Sequence, residues 1–266
     1  LLGGLVNKDY EGAIGKEGDT VRVSQLTAPA GQIRTVGTDA DVFDSEQMVW
    51  RKVDVKANKR AVASFEVTEL AELQSQLGSP SGQSAMRDAL TFAVAKQVNN
   101  YLWSKVSPST SSPDHLLNSV ATMDATQLGA IRKLAAKAKW LTAPGWYGLL
   151  NPDYYGDILA AQTMTSKDYV GDEAPVIGGQ VANKRFGFNL LEDNSRNSAM
   201  GLFFHPDFLH LVMQKQPTFK VSDLHAQKKF GYLISVDLIF GAELGIDGSK
   251  KHIFATAAAS GMDTTI

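Results

Sequence analysis

Residues 79–108 have the sequence SPSGQSAMRDALTFAVAKQVNNYLWSKVSP, with serine and proline at both ends. Ser79 is a residue type that caps helix N-termini, and Pro80 fits the first helical position. A helix of ~26 residues is ~40 Å long, which exceeds the width of a small domain. The segment therefore predicts an elongated protein built along one helix, with a single apolar stripe made of Met86, Ala89, Leu90, Ala93, Val94, Val98, Tyr101, Leu102 and Val106.

Three segments that precede this helix alternate apolar and polar residues, which is typical of strands with one buried face. They are Thr20–Leu26, Val49–Val55 and Ala61–Val67. A short connection containing Asn58 separates the second segment from the third, so we predict that these two form a β-hairpin.

A long connection, Thr27–Gln47, separates the first strand from the second. It has about 20 residues, whereas most connections within compact domains have ~4–6. We therefore expect a projecting, two-stranded excursion that packs on another surface.

The sequence changes character after the helix. Ser107–Asp114 is rich in serine and proline, which is typical of a linker, and we place a domain boundary there. Two apolar strands follow, Trp146–Leu150 and Met200–Phe204, and each leads into a helix that begins with proline. The nearly all-apolar segment Tyr232–Phe240 predicts a strand buried on both faces, and we expect Ser249–Ala258 to be its partner.

The composition excludes several classes of protein. The 266 residues include no cysteine, which excludes disulfides, thiol catalysis and iron–sulfur clusters. The formal net charge of −2 argues against a dedicated nucleic-acid binder. The longest apolar run is about half of the ~20 residues that cross a bilayer. The chain starts at Leu1 without a methionine, and we interpret this as a processed or truncated start.

Catalytic and metal-binding signatures lead to no predicted site. Gly78–Gly82 has proline where a nucleophile elbow has serine, and Gly12–Glu17 lacks the spacing of a phosphate loop. His205 and His210 are five residues apart, so on a helix they would not share a face. We predict no catalytic residue, no metal ligand and no cofactor.

Opposite charges crowd the first two strands and the excursion between them. They fit contacts with neighbouring subunits, in which complementary charges fix the register of an interface. An ordinary mixed-charge surface explains the pattern equally well at this point. The residues proposed for inter-subunit contacts are Arg22, Arg34, Asp39, Asp41, Asp44, Arg51 and Lys52.

The order of the parts carries a family resemblance. It depends on VNKDYEG at residues 6–12, GDTVRV at 18–23, the segment Val49–Val67, the helix Ser79–Val106 and strand–proline–helix segments such as 149–152. In this order the chain resembles the major capsid (coat) proteins of tailed bacteriophages, and VNKDYEG is similar to podovirus-type members. Their fold is shared by herpesvirus capsid floors and bacterial encapsulin shells.

The resemblance implies an α+β fold with four parts. Residues 18–66 would be the extended loop, a β-hairpin, and residues 1–17 the remnant of an N-terminal arm. Residues 67–107 and 226–266 would be the peripheral domain with its long spine helix, and 108–225 the axial domain.

The resemblance also implies a structural protein and not an enzyme. Such a protein self-assembles as hexamers and pentamers into the icosahedral shell around a double-stranded DNA genome. Portal and scaffolding proteins would be its partners, and its contact with the packaged DNA would be non-specific. It would be part of the virion, assembled in the host bacterial cytoplasm, with no membrane contact.

Two alternatives stay open at the level of sequence. An encapsulin-like compartment would have the same shell fold and would enclose an enzyme instead of DNA. A hydrolase with a site assembled from scattered histidine and aspartate residues belongs to a different class.

Charge reversal tests the role of the excursion in assembly. We expect Arg34→Glu or Asp41→Lys to lower the yield of assembled particles, because each places like charges at an interface that requires opposite ones. Particle yield in sucrose gradients measures the effect, and a yield equal to that of the wild type would contradict the hypothesis.

Overall fold

The computed structural model describes residues 1–10, 20–29, 47–74, 80–106, 116–142, 145–170, 176–181, 184–195 and 199–257. No helix in these ranges is long and apolar enough to cross a membrane. The helices are α1 (Leu2–Leu5), α2 (Glu69–Gln74), α3 (Pro80–Lys105), α4 (Ala125–Lys137), α5 (Pro152–Ala160), α6 (Gln162–Thr165) and α7 (Lys167–Val170). The strands are β1 (Thr20–Leu26), β2 (Trp50–Lys56), β3 (Lys59–Thr68), β4 (Leu116–Leu117), β5 (Trp146–Leu150), β6 (Val176–Ile177), β7 (Gln180–Val181), β8 (Phe188–Glu192), β9 (Met200–Phe204), β10 (Leu209–Asp223), β11 (Gly231–Leu244) and β12 (His252–Thr256).

The long helix α3 packs on a three-stranded antiparallel sheet of order β10-β11-β3. Alternate residues of the central strand β11 lie on the face toward the helix, as the pleat of a strand requires. The predicted helix is confirmed, and so is its apolar stripe except at Ala89, which is exposed. The core between helix and sheet contains Met86, Leu90, Val94, Val98, Leu102, Ile234, Val236, Leu238 and Phe240.

A five-stranded mixed sheet of order β4-β12-β9-β5-β8 forms the other half of the fold. One face packs with α4 and α5 through Trp146, Phe188 and Phe203. Residues of its other face, including Leu202 and Phe204, join the core of α3. The sheet is therefore buried on both sides.

The two strand–proline segments behave differently. Asn151 caps α5, and its side-chain oxygen accepts a hydrogen bond of 3.1 Å from the amide of Tyr154. After β9 the chain makes a single 3-10 turn, Pro206–Phe208, and then enters β10. The predicted second helix is thus wrong in length, because the buried residues that start β10 at Leu209 follow directly after this turn.

Two predicted strand pairings are wrong. β12 pairs with β9 and β4 instead of β11, because both edges of β11 are already hydrogen-bonded to β3 and β10. β2 and β3 are consecutive but do not pair. β2 pairs with β1, from Thr20 opposite Lys56 to Leu26 opposite Trp50, and β3 pairs with β11.

Gly241 of β11 explains why the chain leaves one sheet for the other between β2 and β3. The backbone of Lys56 and Ala57 crosses β11 at this glycine so closely that a Cβ on Gly241 would overlap the carbonyl oxygen of Lys56. The same Cβ would lie 2.9 Å from the Cα of Ala57. Only a residue without a side chain permits this crossing.

Asp237 of β11 holds the three strands together on the face opposite α3. Its carboxylate pairs with Lys215 of β10, and its Oδ2 lies 2.6 Å from Nη2 of Arg60 of β3. The hydrogen bonds that Lys215 and Arg60 donate hold the pKa of the Asp237 carboxyl below its usual range. The Asp237 side chain is 8% exposed, whereas Arg60 is 62% exposed and Lys215 32%, so solvent screens the pairs in part.

Substitution of Gly241 tests the crossing. Gly241→Ala should destabilise the fold by about 2–3 kcal/mol or more, because backbone atoms must move to admit the methyl group. Urea denaturation measures the change. Gly156→Ala is the matched control, since a Cβ at this position in α5 meets nothing within 4 Å, and we expect it to be neutral or slightly stabilising. Equal stabilities of the two variants would contradict the account.

The pH dependence of stability tests Asp237. The pKa of Asp237 is lower in the folded state than in the unfolded state, where it is about 4. The pairing therefore contributes its full stabilisation above pH ~4. This stabilisation is lost as the pH falls through the folded-state pKa. The Tm of Asp237→Asn should therefore lie below that of the wild type near pH ~7, and the gap should narrow below about pH 4. Asp88→Asn, on the exposed face of α3, is the control and should follow the wild type. A gap that is independent of pH would show that charge is not the cause.

Candidate assembly surfaces

The pair β1–β2 is a two-stranded ribbon that lies against the body of the protein on one face. We call residues 20–29 and 47–56 the ribbon. At its base Val21, Val23 and Val55 are buried against Val212 of β10. Within the described residues the apolar core of the ribbon lies at this base, and beyond it the two strands are held by their own ladder.

The far end of the ribbon is apolar and exposed. Leu26 and Trp50 are opposite each other in the ladder and are 44% and 51% exposed, and Met48 and Val49 beside them are 69% and 56% exposed. The pairing continues past the strand ends, since the amide of Thr27 donates to the carbonyl of Val49 at 2.9 Å. Clustered exposed apolar groups of this kind mark surfaces that bind other proteins.

Two bidentate ion pairs order the ribbon. Across its two strands, Nε and Nη2 of Arg22 lie 2.8 and 3.2 Å from the carboxylate oxygens of Asp54. Arg51 joins the ribbon to the loop after β11, with distances of 2.5 and 2.6 Å to the carboxylate of Asp247. Hydrogen bonds from the two arginines hold the pKa of Asp54 and the pKa of Asp247 below their usual range. Exposed pairs add little stability. The Arg22 pair joins the two strands of the ribbon, and the Arg51 pair joins the ribbon to the body.

Two of the residues predicted for inter-subunit contacts take part in these ion pairs. Arg22 and Arg51 have partners within their own chain, while Lys52 is exposed on the same face of the ribbon as Trp50. The inter-subunit role of all seven residues stays a prediction. Four of them lie outside the described residues: Arg34, Asp39, Asp41 and Asp44.

A second exposed apolar group lies where β3 and β11 meet α2. We call Leu70, Leu73 and Phe230 the sheet tip; they are 63%, 78% and 72% exposed. The amide of Glu69 donates to the carbonyl of Phe230 at 3.2 Å, which joins the two elements. This surface was not predicted from the sequence. The spacing of Leu70 and Leu73 on a short acidic helix was the available signal, but only the tertiary structure shows that these side chains are exposed.

His205, His210 and His252 make local contacts within the fold. Nδ1 of His205 accepts a hydrogen bond of 3.2 Å from the amide of Asp207, and Nδ1 of His252 lies 2.8 Å from the carbonyl oxygen of Gly248. Burial lowers the pKa of His210, whose ring meets that of Tyr10 edge-on at 5.4 Å. Within the described ranges, no group of three or more His, Asp or Glu side chains could hold a metal ion.

Comparisons with known proteins find similarity in structure but not in sequence. No protein-family model and no curated protein sequence matches the chain significantly. Solved structures match it over nearly its whole length.

Three of these structures illustrate the similarity. A chain from Mycobacterium phage Che8 aligns with a TM-score of 0.69 at 18% identity, covering 97% of this chain and 91% of that one. A chain from the capsid of Cyanophage Pam1 aligns with a TM-score of 0.66 at 12% identity, covering 97% and 89%. A chain from the capsid of Cyanophage P-SCSP1u gives 0.63 at 14% identity, covering 92% and 85%. The α+β fold predicted from the sequence is therefore confirmed, and it is the fold of phage capsid proteins.

Proposed function

We propose that this chain is a major capsid protein, which self-assembles into the icosahedral shell around a double-stranded DNA phage genome. The observation that carries the proposal is the ribbon, a two-stranded element whose described end is apolar and exposed, on a phage-capsid fold. In this function the ribbon end is covered by a neighbouring subunit.

The energetics of the ribbon favour a shell. A two-stranded hairpin is marginal in water on its own, and full burial of a Leu, Val or Met side chain stabilises by about 1.5–3 kcal/mol. Covering the four side chains of the ribbon end thus provides a modest interface per subunit. Symmetric closure multiplies such interfaces, so the whole shell is stable although each contact is weak.

The charges of the ribbon have two roles in this proposal. Arg51 positions the ribbon against the body through its pair with Asp247, and Arg22 joins the two strands of the ribbon through Asp54. Lys52 lies beside Trp50 and meets the neighbour. The excursion contributes Arg34, Asp39, Asp41 and Asp44 to the same interface.

The division into domains is also a proposal. Strand pairing supports domain boundaries that differ from those predicted from the sequence. We assign α3 and the sheet β10-β11-β3 to the peripheral domain. The sheet β4-β12-β9-β5-β8 with α4 and α5 becomes the axial domain. Relative to the predicted ranges, residues 59–66 move from the extended loop to the peripheral domain, Leu209–Asp223 moves there from the axial domain, and His252–Thr256 moves to the axial domain.

The proposal includes partners and location. The subunits form hexamers and pentamers, with a portal and a scaffolding protein as assembly partners. The inner wall meets DNA without sequence recognition, to which the net charge of −2 is suited. The protein acts as a structural component of the virion, is assembled in the host cytoplasm and catalyses no reaction.

Assembly of the purified protein tests the proposal. Negative-stain microscopy should show closed shells of uniform size for the wild type. Trp50→Glu should reduce the yield of shells about tenfold or more, because it places a charge in an interface that must be desolvated. Phe92→Glu is the control, since Phe92 is 71% exposed on α3, away from the ribbon, and should leave the yield unchanged.

Two results would contradict the proposal. A wild-type protein that stays monomeric under all assembly conditions, with or without a scaffolding protein, would exclude a shell subunit. Shells that enclose an enzyme instead of DNA in the producing cell would rule out a role in enclosing a phage genome. They would favour the encapsulin-like alternative.

A further inference from the structure

We propose that His210 is a pH-sensitive switch at the base of the ribbon, and that acidification to about pH 5 loosens the ribbon from the body. His210 belongs to β10 and lies where the N-terminal segment, the ribbon and the loop after β11 come together. The inference goes beyond the proposed function, because it concerns how the ribbon is held within one chain and not what the ribbon contacts in a shell.

A polar cleft of about 300 Å³ lies beside His210. Three parts of the chain form its walls. The N-terminal segment contributes Tyr10, the ribbon contributes Ser24 and Gln25, and the body contributes His210 and Lys251. His210 is therefore at the junction between the ribbon and the body.

The imidazole of His210 is buried in surroundings that suit only the neutral ring. His210 is 5% exposed, and its Nδ1 has no hydrogen-bond partner among the described residues. The fit is close, since a Cβ on Gly245 would lie 2.9 Å from Nε2 of His210. A protonated imidazole carries N–H groups on both nitrogens, and a buried N–H without an acceptor is costly. Protonation therefore disfavours this packing.

Tyr10 connects His210 to the ribbon. Its ring meets that of His210 edge-on at 5.4 Å and packs against the buried valines of the ribbon base. The same N-terminal segment is hydrogen-bonded to β10, since the amide of Leu211 donates to the carbonyl of Asn7 at 3.0 Å. A displacement of the His210 ring would thus move a side chain that packs on the apolar core of the ribbon base.

The charged groups nearest to His210 act in opposite directions. Burial is the largest effect and lowers the pKa of His210; Asp207 and Asp9 favour the imidazolium, whereas Lys251 opposes it. The carboxylate of Asp207 already accepts a hydrogen bond of 3.0 Å from the side-chain amide of Asn7, and Asp9 is exposed to solvent. The two carboxylates therefore compensate only part of the cost of burying a positive charge.

The neighbouring strands give the imidazolium no further support within the described residues. Glu243 of β11 is opposite His210 in the ladder, but its carboxylate is paired with Lys105 at 2.8 Å. The polar side chains that the ribbon places at the cleft, Ser24 and Gln25, carry no charge.

The direction of the pH effect follows from linkage. The pKa of His210 is lower in the closed structure than in an opened one, where it approaches the ordinary value of about 6.5. The closed ribbon is therefore fully stable above about pH 6.5. Its stability decreases as the pH falls below this value, and the loss is complete below the pKa of the closed structure.

Hydrogen–deuterium exchange tests the inference on the full chain below the shell-forming concentration. After correction for the chemical exchange rate, the protection of the amides of β1 in the wild type should fall about fivefold or more between pH ~7.5 and pH ~5. Unperturbed carboxyl groups titrate near pH ~4, below this window. His210→Phe keeps a ring against Tyr10 and takes up no proton, so its protection should not change with pH.

Two further variants keep the test decisive. If His210→Phe does not fold, His210→Gln is a second uncharged variant with the same expected result. His225→Gln is the matched control, because His225 is exposed in the turn at the other end of β10 and its loss should leave the pH response of the wild type unchanged. Protection in the wild type that is independent of pH, or a His210 variant that loses as much protection as the wild type, would overturn the inference.

The two proposals fail in different ways. If the wild type forms no shells but its ribbon loosens on acidification through His210, the proposed function fails and the switch stands. If shells form and the ribbon does not respond to pH, the capsid function stands and the switch is wrong.

Discussion

The fold depends on one strand, β11, which contacts other elements along both of its edges and on both of its faces. Its edges are hydrogen-bonded to β3 and β10, its apolar face carries α3, and its other face holds Asp237 between Arg60 and Lys215. At Gly241 the chain crosses this strand on its way from the ribbon to β3. The position of the ribbon relative to the body is therefore set by β11.

A rigid body with an exposed arm is what a shell subunit requires. The sheet β10-β11-β3 and α3 provide an elongated plate, and the second sheet is buried on both faces, so neither can deform easily. The ribbon has a packed base and an apolar end in solvent. Such an end is unfavourable in an isolated chain and becomes favourable when a neighbour covers it, which ties the stability of the arm to assembly.

Periodicity predicted the elements whose partners are local or whose apolar face is continuous. The stripe from Met86 to Val106 was sufficient for α3, and the order of parts was sufficient for the fold. Pairings between distant segments were not predictable in the same way. The sequence favoured a hairpin of β2 with β3 because they are adjacent, but the partner of β3 is more than 160 residues away, from Lys59 opposite Phe240 to Thr68 opposite Gly231. The sheet tip was missed because exposure of Leu70 and Phe230 is a property of the tertiary structure.

Electron cryomicroscopy of the assembled protein tests the central claim most directly, since it shows what the ribbon end contacts. The account predicts closed shells in which Leu26, Met48, Val49 and Trp50 of each subunit are buried against an adjacent subunit. Shells in which these side chains point into solvent, or a protein that yields only isolated chains, would contradict it.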